Sequence, residues 1–222
     1  MMKRLRLLLP IALLALPAAA AQDWSFGVAT GPFVFGTFAK RTKLANVGNP
    51  DQASTTLKLS ASTRPGLLVD VERNLNDRFA VRLQSTFTEA PLKLKSDSGG
   101  GVALDSGKVD VTTLTLPLLI RINPHGSFRF HIKGGPAYAA YHIKQEFSSA
   151  SAPPFHGTRG RLGGMAGAGV EWSWTKRFSV EGEILDIVTS SPLEKSDFIA
   201  PGSVRIPKAQ NEHATIGVRW HL

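Results

Sequence analysis

The chain carries 222 residues, a formal net charge of +9, 42% hydrophobic and 8% aromatic residues, and no cysteine. Without cysteine it can build neither a disulfide framework nor a thiolate metal centre. Its bases are scattered, with no Lys/Arg-rich run interleaved with aromatics, which argues against nucleic acid as a partner.

The first residues read as an export signal. Met1-Met2-Lys3-Arg4-Leu5-Arg6 is a basic start, Leu7 to Leu16 is apolar, and Ala19 and Ala21 fit a small-residue cleavage site before Gln22. Residues 1–21 are expected to be a signal peptide and residues 22–222 a single domain. The leader holds three bases and no acid, which leaves +6 of the +9 for the domain. The chain has no apolar run of about 18 residues, the length of a spanning helix. If it sits in a membrane, a closed barrel is the way left to satisfy its backbone.

From Trp24 onward, eight segments show the period of two that marks a strand. In the first, Trp24, Phe26 and Val28 oppose Ser25, Gly27 and Ala29. Its period blurs at Gly31-Pro32-Phe33-Val34-Phe35, where a bulge is expected. In the second, Leu67, Val69 and Val71 oppose Asp70 and Glu72. In the third, Phe79, Val81, Leu83 and Phe87 oppose Arg82, Gln84 and Thr86. In the fourth, Leu114, Leu116, Leu118, Ile120 and Ile122 oppose Thr113, Thr115, Pro117 and Arg121. In the fifth, Phe128, Phe130 and Ile132 oppose Arg129, His131 and Lys133. In the sixth, Ala168, Val170, Trp172 and Trp174 oppose Gly169, Glu171 and Ser173. The seventh sets Phe178 and Val180 against Glu181 and Glu183, then loses phase near Leu185-Asp186-Ile187. A bulge, or a place for Asp186 at the outer rim, is expected there. In the eighth, Ala214, Ile216, Val218, Trp220 and Leu222 oppose Thr215, Gly217, Arg219 and His221.

The connections alternate in length. Long ones run from Lys40 to Thr63, Glu89 to Gly107, Ser148 to Gly157 and Ser190 to Pro207. Short ones are Asn74-Leu75-Asn76-Asp77, Asn123-Pro124-His125-Gly126 and Thr175-Lys176. Outer-membrane barrels sort their loops in this way, with tight periplasmic turns and longer loops outside. The pattern predicts an all-β fold, an eight-stranded antiparallel up-and-down transmembrane β-barrel in the cell outer membrane of a Gram-negative envelope. Apolar faces point to lipid and polar faces inward. Glycines such as Gly27, Gly134, Gly135, Gly163, Gly164, Gly167 and Gly169 suit its tight wall.

Two residue sets follow from this plan. Trp24, Phe79, Phe128, Trp174, Phe178 and Trp220 fall together at the periplasmic ends, as an aromatic girdle should. Phe87, Tyr141, Phe147 and Phe38 are expected to supply the outer one. The inward charges are Asp70, Glu72, Arg82, Arg121, Arg129, Lys133, Glu171, Glu181, Glu183 and Arg219. About eight strands leave room for little more than side chains, and unpaired buried charge is costly, so these are expected to pair and fill the lumen.

Five stretches in order then resemble a known family. Leu114-Thr115-Leu116-Pro117-Leu118-Leu119-Ile120 precedes Gly134-Gly135-Pro136-Ala137-Tyr138. Gly167-Ala168-Gly169-Val170-Glu171-Trp172 leads to Arg177-Phe178-Ser179-Val180-Glu181, and Ile216-Gly217-Val218-Arg219-Trp220 follows. This order resembles the outer-membrane β-barrel domain family, often labelled porin family protein, across the mature chain. The resemblance implies an eight-stranded barrel and no shared catalytic residue. Such chains usually end in an aromatic that the assembly machinery reads; here Leu222 stands last, after Trp220.

No catalytic, cofactor or metal residue emerges. His125, His131, His142, His156, His213 and His221 lack ligand spacing. His213 and Thr215 are two apart, as in some lipid A hydrolases of this size, but His213 reads as a surface histidine at a loop edge. Gly99-Gly100-Gly101 reads as a loop tip. Lys40, Arg41, Lys43, Lys58 and Arg64 face outside, either to meet anionic lipopolysaccharide or as ordinary solvated charges. The expectation is a monomeric, non-enzymatic barrel with a structural or surface-interaction role, in contact with outer-membrane lipid, lipopolysaccharide and the assembly machinery. The alternatives are a narrow channel with a lateral exit near Gly31-Pro32, a lipid-modifying enzyme, and a soluble lipocalin-like binder.

Overall fold

A computed structural model describes residues 24–43, 55–96, 103–145, 156–194, 197 and 204–222. The expected signal peptide, Phe147 and Gly99–Gly101 lie outside the described residues. Among the described residues are twelve strands: β1 (Trp24–Phe35), β2 (Thr37–Lys43), β3 (Thr55–Ala61), β4 (Arg64–Asn74), β5 (Phe79–Ser96), β6 (Ala103–Thr115), β7 (Leu118–Arg121), β8 (Phe128–Gln145), β9 (His156–Ser173), β10 (Phe178–Thr189), β11 (Val204–Arg205) and β12 (Ala209–His221). They form eight staves, because β1 continues into β2, β3 into β4, β6 into β7 and β11 into β12. Neighbouring staves pair antiparallel in chain order, and β12 returns to β1 with Ser25 opposite His221 and Phe35 opposite Asn211. The result is a closed eight-stranded barrel.

The short turns close for a local reason. The Asn76 carboxamide oxygen accepts the Arg78 and Phe79 amides at 2.9 Å. Thr175 Oγ1 accepts the Phe178 amide at 3.0 Å. Asn123 brackets the second turn, donating to the Phe128 carbonyl and accepting the Phe130 amide, both at 2.6 Å. Such Asx and ST turns replace backbone hydrogen bonds and favour a tight reversal. At the other end, the strands run further than expected. β2 and β3 occupy part of the first long connection, β5 and β6 part of the second, and β11 part of the fourth.

Neither irregularity expected from the sequence is a bulge. Across Gly31 to Phe35 the β1–β12 register is unchanged, and β10 keeps one register with both neighbours through Asp186. The bulge sits later, between Thr37 and Ala39. Phe33, Phe35, Leu185 and Ile187 instead point into the barrel, where all are buried. Asp186 points outward beside Glu212, and Gln210 Nε2 donates to both carboxylates at 3.1 Å. With no bulge, Asp186 simply keeps its outward place in the alternation.

Gly31 holds the seam shut. A Cβ there would stand 1.9 Å from the Ala214 carbonyl oxygen, whereas a Cβ at Gly182 would meet nothing within 4 Å. Gly31→Ala is expected to force β1 off β12 and to cost about 1–3 kcal/mol, the range for overpacking. Gly182→Ala should be neutral. Urea midpoints of the two refolded variants check this, and equal midpoints would contradict it.

The interior has two layers. Toward the turn end lie buried charges. Toward the loop end lies an apolar cluster that includes Phe33, Phe35, Phe38, Leu92, Val109, Val111, Tyr141, Ile143, Leu193 and Val204. Phe38 and Tyr141 are both 0% exposed and meet edge to face at 5.9 Å. They belong to this core, so they supply no outer girdle; Phe87 does face outward. His213 is also corrected. It is buried at 2% exposure inside the barrel, stacked on Phe33 at 3.9 Å.

Candidate functional site

Seven of the eight staves supply the lumen charges, because every second residue of a strand must point inward. Arg82 is the hub. Its Nε donates to Glu72 Oε2 at 2.8 Å, its Nη1 to Glu183 Oε1 at 2.5 Å and its Nη2 to Glu181 Oε1 at 2.8 Å. The planar guanidinium carries five donors in a fixed fork, which one lysine could not match. Arg219 lies beneath it, donating to Glu181 Oε2 at 2.6 Å and to Ser25 Oγ at 3.1 Å, with Asp70 Oδ1 2.8 Å from its Nη2. Lys133 Nζ contacts both oxygens of Glu183 at 2.7 Å and Gln84 at 3.0 Å. Arg121 reaches Glu72 and Asn74. A satellite forms where Arg129 and Ser179 both donate to Glu171 at 2.5 Å, beside His221 at 3.0 Å.

All ten inward charges read from the sequence stand in these two groups. Five are acidic and five basic, so their formal charges cancel and the excess positive charge of the chain lies elsewhere. The sequence reading did not assign partners to Gln84, Ser25, Asn74, Ser179, His131 or His221. Their inward parity was visible; their height in the barrel was not. Two wall glycines make the room: a Cβ at Gly27 would stand 2.4 Å from Asp70 Oδ2, and one at Gly169 would stand 2.7 Å from the His131 ring.

His131, Glu181 and Glu183 offer three ligand atoms within 4.8 Å of one another. Each carboxylate is already held by Arg82, Lys133 or Arg219, so a metal ion would have to displace a cation. The space bounded by Gly27, Asp70, Glu181, Glu183, Thr215 and Gly217 is about 10 Å³, about one water molecule.

Above the charges, the Tyr141 hydroxyl lies 3.0 Å from Thr189 Oγ1 and accepts from Asn211 Nδ2 at 2.9 Å. The described residues 190–194 of the fourth long connection lie against the apolar layer. Leu193 is buried in it, Ser191 Oγ donates to the Phe38 carbonyl at 2.9 Å, and Arg159 grips Asp197 with two 2.6 Å bonds. On the outside, a groove of about 630 Å³ runs across Thr30, Pro32, Phe130, Ile184 and Ile216. At Gly31 the backbones of β1 and β12 touch, so no lateral gap opens there.

The six girdle aromatics stand at the turn end. Five are exposed and Trp24 is half-buried, with the Arg73 guanidinium 5.6 Å from its ring centroid. Phe178 pairs with Trp220 across β10 and β12. Above them, Val28, Leu83, Leu116, Phe130, Ile184 and Ile216 keep the wall apolar on the outside. An apolar outer wall around a charged interior, closed into a ring, decides the assignment together with one match. Residues 7–220 match the family described as the outer membrane protein beta-barrel domain.

The chain belongs to that family. No curated protein sequence matches it significantly. Among solved structures it is similar to the outer membrane protein OprG from Pseudomonas aeruginosa, with 12% identity, a TM-score of 0.56, and 90% of this chain and 97% of that one covered. It is also similar to Neisserial surface protein A (NspA), with 7% identity, a TM-score of 0.54, and 90% and 97% covered. At such identities the likeness concerns the fold alone. Family and fold support a place in the outer membrane, where short turns face the periplasm.

Proposed function

We propose that this outer-membrane β-barrel domain protein is a sealed, non-enzymatic barrel with a structural or surface-interaction role. The observation that carries this reading is the double filling of the lumen. A neutralised ion network blocks the periplasmic half, and an apolar core under the fourth connection blocks the outer half. A solute would have to break both. His213 and Thr215 face this interior, away from any acyl chain in the surrounding lipid, which argues against lipid hydrolysis. The closed ring leaves no strand edge within the wall, which favours a monomer. Outer-membrane lipid and lipopolysaccharide surround it, and the assembly machinery reads its last strand.

The test is planar-bilayer recording of the refolded full-length protein, with folding verified by heat-modifiable gel mobility. Baseline current at all voltages is expected. Discrete conductance steps would overturn the sealed barrel and favour the narrow channel.

A further inference from the structure

The outer wall carries a hollow in its apolar band, and a basic turn lies at the foot of two strands that line it. Across the wall, Phe130 stands opposite Val170, Val170 opposite Gly182, Gly182 opposite Ile216 and Ile216 opposite Thr30. The next row toward the loop end sets Ile132 opposite Ala168, Ala168 opposite Ile184 and Ile184 opposite Ala214. A Cβ at Gly182 would meet nothing within 4 Å, while Ile184 and Ile216 beside it are 70% and 64% exposed. Gly182, Ala168 and Ala214 therefore floor the outer groove of about 630 Å³, and the two isoleucines wall it. That volume is in the range of ligand-binding clefts, about 300–1,000 Å³.

Depth selects the occupant. Gly182 stands five residues beyond Arg177 on the same stave, about 13 Å along the axis for a rise of about 3.3 Å and a tilt of about 40°. Trp174, Phe178 and Trp220 mark the headgroup level, so the groove opens on hydrocarbon. Lipid chains are as apolar as the wall, so a chain gains nothing there from leaving water. What holds it is van der Waals contact, and a concave wall offers a chain more contact than a flat one. Lys176 and Arg177 lie beside the aromatic rim, at phosphate depth. Both are exposed, and neither is in an ion pair among the described residues. Charge also argues against a second copy of the chain as the occupant. Two copies in one membrane share an orientation, so a two-fold contact through this face would set their Lys176 and Arg177 at equal height, like charge facing like. A lipid phosphate meets the same pair with the opposite charge.

We propose that this face holds one anionic glycerophospholipid of the periplasmic leaflet, with an acyl chain in the groove across Gly182 and the headgroup phosphate on Lys176 and Arg177. The site is on the outer wall and goes beyond the sealed-lumen reading. The conductance recording bears on the lumen alone, so the two can fail separately.

The test is native mass spectrometry of the refolded full-length protein in detergent micelles, titrated with phosphatidylglycerol or with phosphatidylcholine of the same acyl chains. The wild type should retain one phosphatidylglycerol per barrel, about tenfold more tightly than phosphatidylcholine, the order set by two exposed bases at a membrane surface. Lys176→Gln/Arg177→Gln should erase that preference. Gly182→Leu fills the groove and should weaken retention of both lipids about tenfold. Arg73→Gln/Arg78→Gln removes the same charge beside another turn of the same rim and should change nothing. If Gly182→Leu fails to fold by gel mobility, Gly182→Ala carries the groove test, with about a threefold loss expected. Equal retention of both lipids by the wild type, or unchanged retention by the groove variant, would overturn the proposal. So would a dimer that forms in the wild type and is lost in the groove variant, which would make a second copy of the chain the occupant.

Discussion

Arg82→Leu is expected to destabilise the barrel by about 3–5 kcal/mol, the range for breaking a buried ion pair from one side. The side chain is 1% exposed and binds Glu72, Glu181 and Glu183 at once. Leucine fills part of the volume but leaves three carboxylates crowded together. Arg219 and Lys133 are already engaged with Glu181 and Glu183 and cannot cover the loss. The hydrophobic gain of leucine, about 1.5–3 kcal/mol, is smaller than the penalty for the stranded charges. Arg82→Lys should recover only part, because an ammonium lacks the fork that reaches several partners. Urea titration of the protein in micelles measures this. A shift below about 1 kcal/mol would mean that the network does not hold the barrel.

Phe38→Ala should cost a similar amount, about 3–5 kcal/mol, for a different reason. Phe38 is 0% exposed, edge to face with Tyr141 at 5.9 Å and 6.5 Å from Phe35. Removing the ring leaves a cavity in a cluster drawn from six of the staves, which cannot all collapse into it. The backbone carbonyl of residue 38 stays available to Ser191, so the fourth connection keeps its anchor. The prediction is therefore specific: the urea midpoint falls while bilayer current stays at baseline, because the ion network below is untouched. A variant as stable as wild type would show that the outer core contributes little. Conducting steps in this variant would show that the ion network alone does not seal the lumen.

Much of the plan was legible because a strand has a fixed period. Once Arg82, Glu181 and Arg219 alternate with Val81, Val180 and Val218, the two sides of the wall follow. Turn chemistry at Asn76, Asn123 and Thr175 fixed the short ends, and the parity of loop lengths pointed to an up-and-down ring. The places where the pattern seemed to fail have one physical cause. Within the membrane, an apolar residue belongs outside, against lipid. Past its edge, the solvent on that side is water and the apolar residue belongs inside. Phe33, Phe35, Leu185, Ile187, Phe38 and Tyr141 lie at or beyond that change, while Asp186 and Glu212 face outward. The strand keeps its alternation and the hydrophobic preference changes sides, which reads in sequence as lost phase.

Sequence alone therefore determined the fold class, the wall, the aromatic rim and the inward charges, because each depends on a period of two or on a local turn. Only the tertiary structure decided which charge meets which and that His213 is buried. Those facts depend on register between strands distant in the chain, and alternation gives the side a residue faces without giving its height or its neighbour.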